Sequence, residues 1–371
     1  MQSDARWLVL SKPLRAPLRD GTTVLASTLV RALPAERQCA YLGDPEAPLR
    51  PGLDRVLPAG HVGYAPGLFD KARLFATLVD PRLRALDVHL FFSPNRASQS
   101  VLAAVRRFSR RRKFVQTIPA SQGAEAHVGA LGLLDAIVVT SEDARDRLGR
   151  AGLHHPRLEC IHPGIHLPQH TVVDPAASRR LLYAGDLDET VATRLIALGH
   201  MLARPELGAW SLVLACRPKG DGDATARSRI RRELADAIAD GRVTVLAEVD
   251  DMDALLRSAS LQLYLADHTR KKVDLPLVLL EGLARGVGLA ALDVAPVREI
   301  FDVADAEHLD VGLRLPVDPD AAALAVVSAV VDPGRLRAWG TAARQLALQR
   351  FSDTAMAARY VELYAQLERL P

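Results

Sequence analysis

The chain has 371 residues, of which 49% are hydrophobic and 25% charged, with a formal net charge of +3. At roughly 150 residues per domain this is two ordinary domains with ample core material, which excludes disorder, collagen and a small disulfide scaffold. No apolar run reaches the roughly 18 residues that cross a bilayer, so no integral membrane protein is expected.

Met1–Leu10 carry Asp4 and Arg6 among too few apolar residues for a signal peptide. Cys39, Cys160 and Cys216 are widely spaced with no CxxC, and read as reduced thiols of a cytoplasmic protein. The charge is uneven: net +8 over residues 1–170 and −5 over the remainder. Two domains with different partners would give this, and so would drift of surface charge.

Trp7–Leu10 predicts a strand, followed by a Ser, Lys, Pro and Arg loop ending at Asp20-Gly21. Thr22 and Thr23 offer capping hydroxyls to an apolar-periodic helix through Val24, Leu25, Leu29, Val30 and Leu33. Strands are predicted at Leu86–Phe92, Lys113–Thr117 and Ala136–Thr140, and helices at Ser98–Arg112 and, capped by Ser141, through Arg150. Ile161–Pro175, with prolines, a glycine and histidines, breaks the rhythm as a linker. Strands resume at Arg180–Ala184, Ser211–Cys216, Val243–Val249, Leu261–Ala266, Gly288–Asp293 and Val311–Leu315. Helices at Ala224–Ala239, Met252–Ser258 and Leu277–Arg285 lie between them, and Asp318–Leu370 is mostly helical with a break at Pro333-Gly334. Strand and helix in alternation mean parallel, doubly wound sheets, with ligands beyond the carboxyl ends of the strands. Two such domains in tandem leave a cleft between them.

The segment His268–Glu299 is the richest in chemistry. Arg270, Lys271 and Lys272 precede a helix that is apolar almost all round, with Glu281 inside it. Such a helix is normally buried, and a buried carboxylate is costly unless bonded. A helix start with nearby cations favours a diphosphate, and a sugar hydroxyl pair would satisfy Glu281. A partner for Glu281 within the protein is the other reading.

The run Val273–Gly282, with Gly286-Val287 and Glu299 beyond, resembles the donor-site signature of GT-B glycosyltransferases of the family 4 type, an E-x7-E pair before a glycine turn and strand. Asp135–Ser141, the stretch Cys160–Ile165, Tyr183–Gly185 and the ending Phe351–Leu367 extend the resemblance over most of the chain. It implies an α/β, GT-B-like architecture: two Rossmann-like, doubly wound domains facing across a cleft. Residues 1–165 with a crossover helix 352–371 would form the acceptor domain, 166–176 the linker, and 177–351 the donor domain.

Glu281 matches the second glutamate, which holds the ribose hydroxyls. The first falls on Val273, which cannot bond a sugar; Asp274 beside it is the substitute. The family's arginine and lysine after the second domain's first strand are missing, because Asp186–Thr190 follow Gly185. Arg217 and Lys219 after one strand, and Lys271 and Lys272 after another, are expected to replace them, since a leaving diphosphate needs preorganised cations; ordinary loop cations are the alternative. Gly21 and Gly185 would let backbone approach the donor, with Leu277 and Val278 beside it. The catalytic candidates are Lys272 and Asp274.

The resemblance implies a hexosyltransferase of glycan biosynthesis, transferring from a nucleotide-diphosphate sugar with retention by front-face displacement, without metal or other cofactor. The acceptor, a glycan, lipid-linked or small molecule, is not specified. A degenerate GT-B scaffold that binds a ligand or partner is the alternative, and a sugar-nucleotide epimerase the third reading. The six cations within Arg106–Lys113 form a basic patch with one aromatic. It suits anionic lipid headgroups at the inner membrane surface or a phosphorylated acceptor. Nucleic acid is not expected, for no array of stacking aromatics accompanies it. A solvated helix end is its plainer reading.

Overall fold

A computed structural model of the chain describes residues 6–18, 20–60, 67–109, 111–168, 174–204, 207–218, 221–269 and 272–370. The chain divides into two compact units, Met1–His166 with Thr269–Pro276 and Arg350–Pro371, and Leu167–His268 with Leu277–Gln349.

The first unit runs β1 (Trp7–Leu14), α1 (Gly21–Ala32), β2 (Cys39–Gly43), β3 (Arg55–Pro58), α2 (Leu68–Val79), β4 (Asp87–Phe91), α3 (Arg96–Phe108), β5 (Phe114–Ile118), α4 (Val128–Leu131), β6 (Ala136–Val139), α5 (Glu142–Arg150) and β7 (Leu158–Cys160). Its sheet has the order β3-β2-β1-β4-β5-β6-β7 with every neighbouring pair parallel. Parallel strands need crossover connections, and helices on both faces bury both sides of each strand. The period of two is visible residue by residue. Trp7, Val9, Val115, Ala136 and Val138 enter one apolar cluster, whereas Leu10, Phe114, Ile118, Ile137 and Val139 enter another.

The second unit runs β8 (Arg180–Ala184), α6 (Glu189–Leu202), β9 (Ser211–Ala215), α7 (Asp221–Glu233), α8 (Ala235–Ala239), β10 (Val243–Leu246), α9 (Met252–Arg257), β11 (Leu261–Tyr264), α10 (Leu277–Ala284), β12 (Gly288–Leu292), α11 (Glu299–Ala306), β13 (Gly312–Leu315), α12 (Pro319–Val330) and α13 (Pro333–Arg350). Its sheet, again parallel, has the order β10-β9-β8-β11-β12-β13.

The last helix, α14 (Asp353–Glu368), belongs to the first unit. It buries Met356, Ala357, Tyr360, Leu363, Tyr364 and Leu367, a stripe at helical spacing. Tyr364 stacks on Trp7 with ring centroids 4.2 Å apart. The Tyr364 hydroxyl meets Nδ1 of buried His89, whose Nε2 is 2.8 Å from Thr117 Oγ1, and that hydroxyl lies 2.9 Å from Tyr360. Burial pushes the His89 pKa down to about 3.

Several sequence expectations change at element ends. The cap of α1 is Asp20, whose carboxylate accepts the Thr23 N–H at 3.1 Å, and not Thr22 or Thr23. Helix α3 stops at Phe108 instead of Arg112, because the chain turns at Ser109 and Arg112 points inward. The helix expected over Ala224–Ala239 divides into α7 and α8 at Leu234. Pro333 begins α13, where its missing N–H costs nothing, and the break falls just before it. Strands β2, β3 and β7 and helix α2 were not anticipated. Among the described residues no helix is long and apolar enough to cross a membrane.

Candidate functional site

Helix α10 carries the residue on which the sequence argument rests. Its buried side is Leu279, Leu280, Gly282, Leu283 and Ala284. Leu277, Val278 and Glu281 are half-buried, and at spacings of three and four they share the opposite face. The helix is held close to the sheet at Gly282: a Cβ there would lie 2.3 Å from Gln262 Oε1. Gln262, on β11, donates from Nε2 to the Leu279 carbonyl at 2.9 Å. A glycine at this point of the helix is therefore a packing requirement.

The Glu281 carboxylate accepts no hydrogen bond among the described residues. Arg285, one turn on, is occupied elsewhere: Nε donates to Asp253 at 2.7 Å and Nη1 to the backbone carbonyl of Glu281 at 2.7 Å. Burial pushes the Glu281 pKa up, with the Arg285 charge opposing and the Asp253 charge adding. A half-buried carboxylate with open lone pairs and a raised pKa is the group a vicinal diol would satisfy.

Other predicted residues gather at the carboxyl ends of β8 and β9. Gly185 follows β8, and its N–H donates to the Ala215 carbonyl at 3.2 Å. A Cβ on Gly185 would lie 2.9 Å from the Tyr183 hydroxyl, which donates to the Asp186 carbonyl. Arg217, two residues beyond β9, is exposed and pairs with no group among the described residues. Val278 packs on the apolar cluster that contains Ala215 and also receives Ala184. This ties α10 to the strand ends that carry Gly185 and Arg217.

The surroundings of Gly185 are acidic. Asp188 caps α6 through Val191 N–H, and its Oδ2 lies 3.0 Å from His268 Nε2. Lys219, Arg270 and Lys271 lie outside the described residues.

Lys272 and Asp274 group with the first unit, although the sequence reading counted them in the donor domain. Lys272 is half-buried, and its N–H donates to the Thr269 carbonyl at 2.8 Å. Asp274 is 1% exposed and occupied: Oδ1 accepts Ser121 N–H at 3.0 Å, while Oδ2 accepts Ser141 Oγ at 3.4 Å and Thr140 Oγ1 at 3.5 Å. Burial pushes its pKa up to about 6, against the pull of Ser121, Arg147 and Ser141. Both oxygens thus serve the protein's own backbone and hydroxyls, and Val273 is buried as well. Gly21 opens α1 beside Asp20, which also pairs with Lys12 at 3.2 Å.

Sequence reasoning passed over one cation near the β9 loop. Arg227 on α7 is 8% exposed and donates from Nη2 to the Cys216 carbonyl. Its Nη1 and Asp223 Oδ1 are buried without partners among the described residues. An arginine four residues after an aspartate on a charged helix reads as a surface pair, and only the fold turns it toward the strand end.

Two parallel sheets with helices on both faces, and a last helix counted with the first sheet, define an α/β protein of the GT-B-like fold. Solved structures agree over nearly the whole chain. It is similar to sucrose-phosphate synthase from Thermosynechococcus elongatus, with 19% identity over 98% of this chain and 99% of that one and a TM-score of 0.74. Anabaena HepE in complex with UDP and glucose matches at 14% identity, 99% and 100% coverage and a TM-score of 0.70. The lipopolysaccharide outer core galactosyltransferase WaaB matches at 13% identity, 97% and 99% coverage and a TM-score of 0.68. No family model matches the sequence. No curated protein matches it by sequence.

Proposed function

We propose that the protein is a glycosyltransferase that moves a hexose from a nucleoside-diphosphate sugar to an acceptor hydroxyl. The observation that carries this reading is the half-buried, unbonded carboxylate of Glu281 on the same helix face as Leu277 and Val278. Charge-assisted bonds from a ribose diol would satisfy it, and the two apolar neighbours would flank the nucleoside. The likeness to HepE, solved with UDP and glucose, lends support at the level of fold.

In this reading the bond between the sugar's anomeric carbon and the diphosphate oxygen breaks as the acceptor oxygen bonds to that carbon. The acceptor proton passes to the leaving diphosphate. Retention, and independence of a metal, go with this front-face course. Arg217 and Lys219 neutralise the leaving group, and Gly185 leaves room for it. Arg227 anchors the carbonyl from which the Arg217 loop departs. Asp274 is a positioning residue that fixes residues 272–276 through Ser121.

A second reading, a scaffold that binds without turnover, is favoured by Val273 at the first glutamate position and by the lack of a cation in Asp186–Thr190. Calorimetric titration with UDP and the other nucleoside diphosphates, followed by assays for hydrolysis of their sugars, separates the two. Binding with turnover supports the transferase, binding without turnover supports the scaffold, and no binding rejects both.

A further inference from the structure

The basic patch singled out in the sequence is divided by the fold into two kinds of arginine. Arg106 holds the unit together: Nε donates to the Leu133 carbonyl at 3.0 Å, Nη1 to the Arg112 carbonyl at 2.7 Å, and the guanidinium pairs with Asp135 at 3.1 Å. Arg112 is only 5% exposed, and donates from Nε to the Leu86 carbonyl at 2.6 Å and from Nη1 to the Leu78 carbonyl at 2.8 Å. Its Nη2 is buried without a partner among the described residues. Arg110 lies outside the described residues.

Arg112 lines a groove of about 860 Å³ between the end of α2 and the end of α3. Three more arginines, Arg84, Arg107 and Arg111, line the same groove and are exposed. Among the described residues none of these four pairs with a carboxylate. Asp80, the acid nearest in sequence to this rim, is bound by Arg82 at 2.8 Å. Asp87 lends Arg112 some distant compensation, but burial still holds the Arg112 pKa below its ordinary value. The groove's other wall is apolar: Phe75 is 37% and Val79 46% exposed, and Phe69 near the start of the same helix is 88% exposed.

We propose that this groove is the contact by which the protein docks on a bilayer rich in anionic phospholipid. A guanidinium matches a phosphate with paired N–H donors and sheds its hydration easily, so the three exposed arginines Arg84, Arg107 and Arg111 along one groove are suited to lipid phosphates. Large apolar side chains beside such cations enter the boundary between headgroups and acyl chains. Charge and apolarity side by side fit this occupant: a free anion leaves Phe69, Phe75 and Val79 in water, and a neutral lipid leaves Arg84, Arg107 and Arg111 without a counter-charge. The proposal does not depend on the transferase reading.

The test is co-flotation of the full chain with vesicles of equal parts phosphatidylglycerol and phosphatidylcholine, against pure phosphatidylcholine. The protein is expected to float with the anionic vesicles and not with the neutral ones, and to be released by high salt. Arg107→Glu with Arg111→Glu, both exposed positions, should weaken binding by well over tenfold, at about fivefold per neutralised arginine and more for reversal. Phe69→Ser with Phe75→Ser should also weaken it, and circular dichroism should show all variants folded. Equal binding to neutral vesicles, or undiminished binding by the folded charge-reversed variant, would overturn the proposal. So would saturable binding of inorganic phosphate with no binding of vesicles.

Discussion

Arg285, just past the end of α10, lies four residues beyond Glu281 and does not bond its carboxylate; it donates to the Glu281 carbonyl and to Asp253 instead. The usual i,i+4 pairing of acid and base is thereby broken in favour of a link from α10 to α9. What remains is an acid with open lone pairs on a face shared with Leu277 and Val278, which is why the donor assignment rests on it.

The close seating of that helix makes a stability prediction. Gly282→Ala puts a methyl into Gln262, which is 2% exposed and has little room to withdraw. Overpacking of this kind costs about 1–3 kcal/mol. A lower midpoint in urea unfolding, with nucleotide binding weakened as α10 shifts, is expected; an unchanged midpoint contradicts the packing account.

His89 makes a pH prediction of definite sign. Its folded pKa of about 3 lies below the ordinary value of 6.5. The unfolded chain therefore binds the proton first, and stability falls as pH drops from about 6.5 toward 3. The full span is of order 4–5 kcal/mol for a shift of this size. His89→Gln is expected to lower stability at pH 7, since it disturbs Tyr364 and Thr117, but to flatten this acid slope. Parallel slopes for the two proteins in pH-dependent unfolding would contradict it.

Asp274 acts in the opposite sense. Its folded pKa of about 6 lies above the ordinary value of 3.8, so the folded state holds its proton more tightly. Stability is lost as pH rises between these values, by about 3 kcal/mol. Asp274→Asn keeps an acceptor for Ser121 and removes the charge. It should gain on the wild type between pH 4 and 6, and a constant difference over that range would contradict the assignment. If Asp274 is a positioning residue, the same variant should retain measurable nucleotide binding.

Much of this was legible from residue order. Apolar runs separated by helical periodicity foretold both parallel sheets, and a lone acid in an apolar helix drew attention to Glu281. Other features depend on contacts distant in sequence. Ser121, which takes up Asp274, lies 153 residues away from it. Arg112 looked like one more surface cation, because nothing local reveals that its guanidinium turns in toward the carbonyls of Leu78 and Leu86. Asp20 caps α1 in place of the two threonines because the helix begins at Gly21, ahead of both, so that Thr22 and Thr23 lie inside its first turn. The short strands β3 and β7 are held by neighbours in the sheet more than by their own composition.

The most direct test of the account is the affinity of Glu281→Gln for UDP, or for whichever nucleoside diphosphate the wild type binds. Gln keeps the shape of the side chain and removes its charge. Loss of charge-assisted bonds to the ribose should weaken binding about tenfold to a hundredfold. Wild-type affinity should itself fall as pH drops through the raised Glu281 pKa, while the variant's stays flat over that range. A folded Glu281→Gln protein that binds as tightly as the wild type would contradict the central claim.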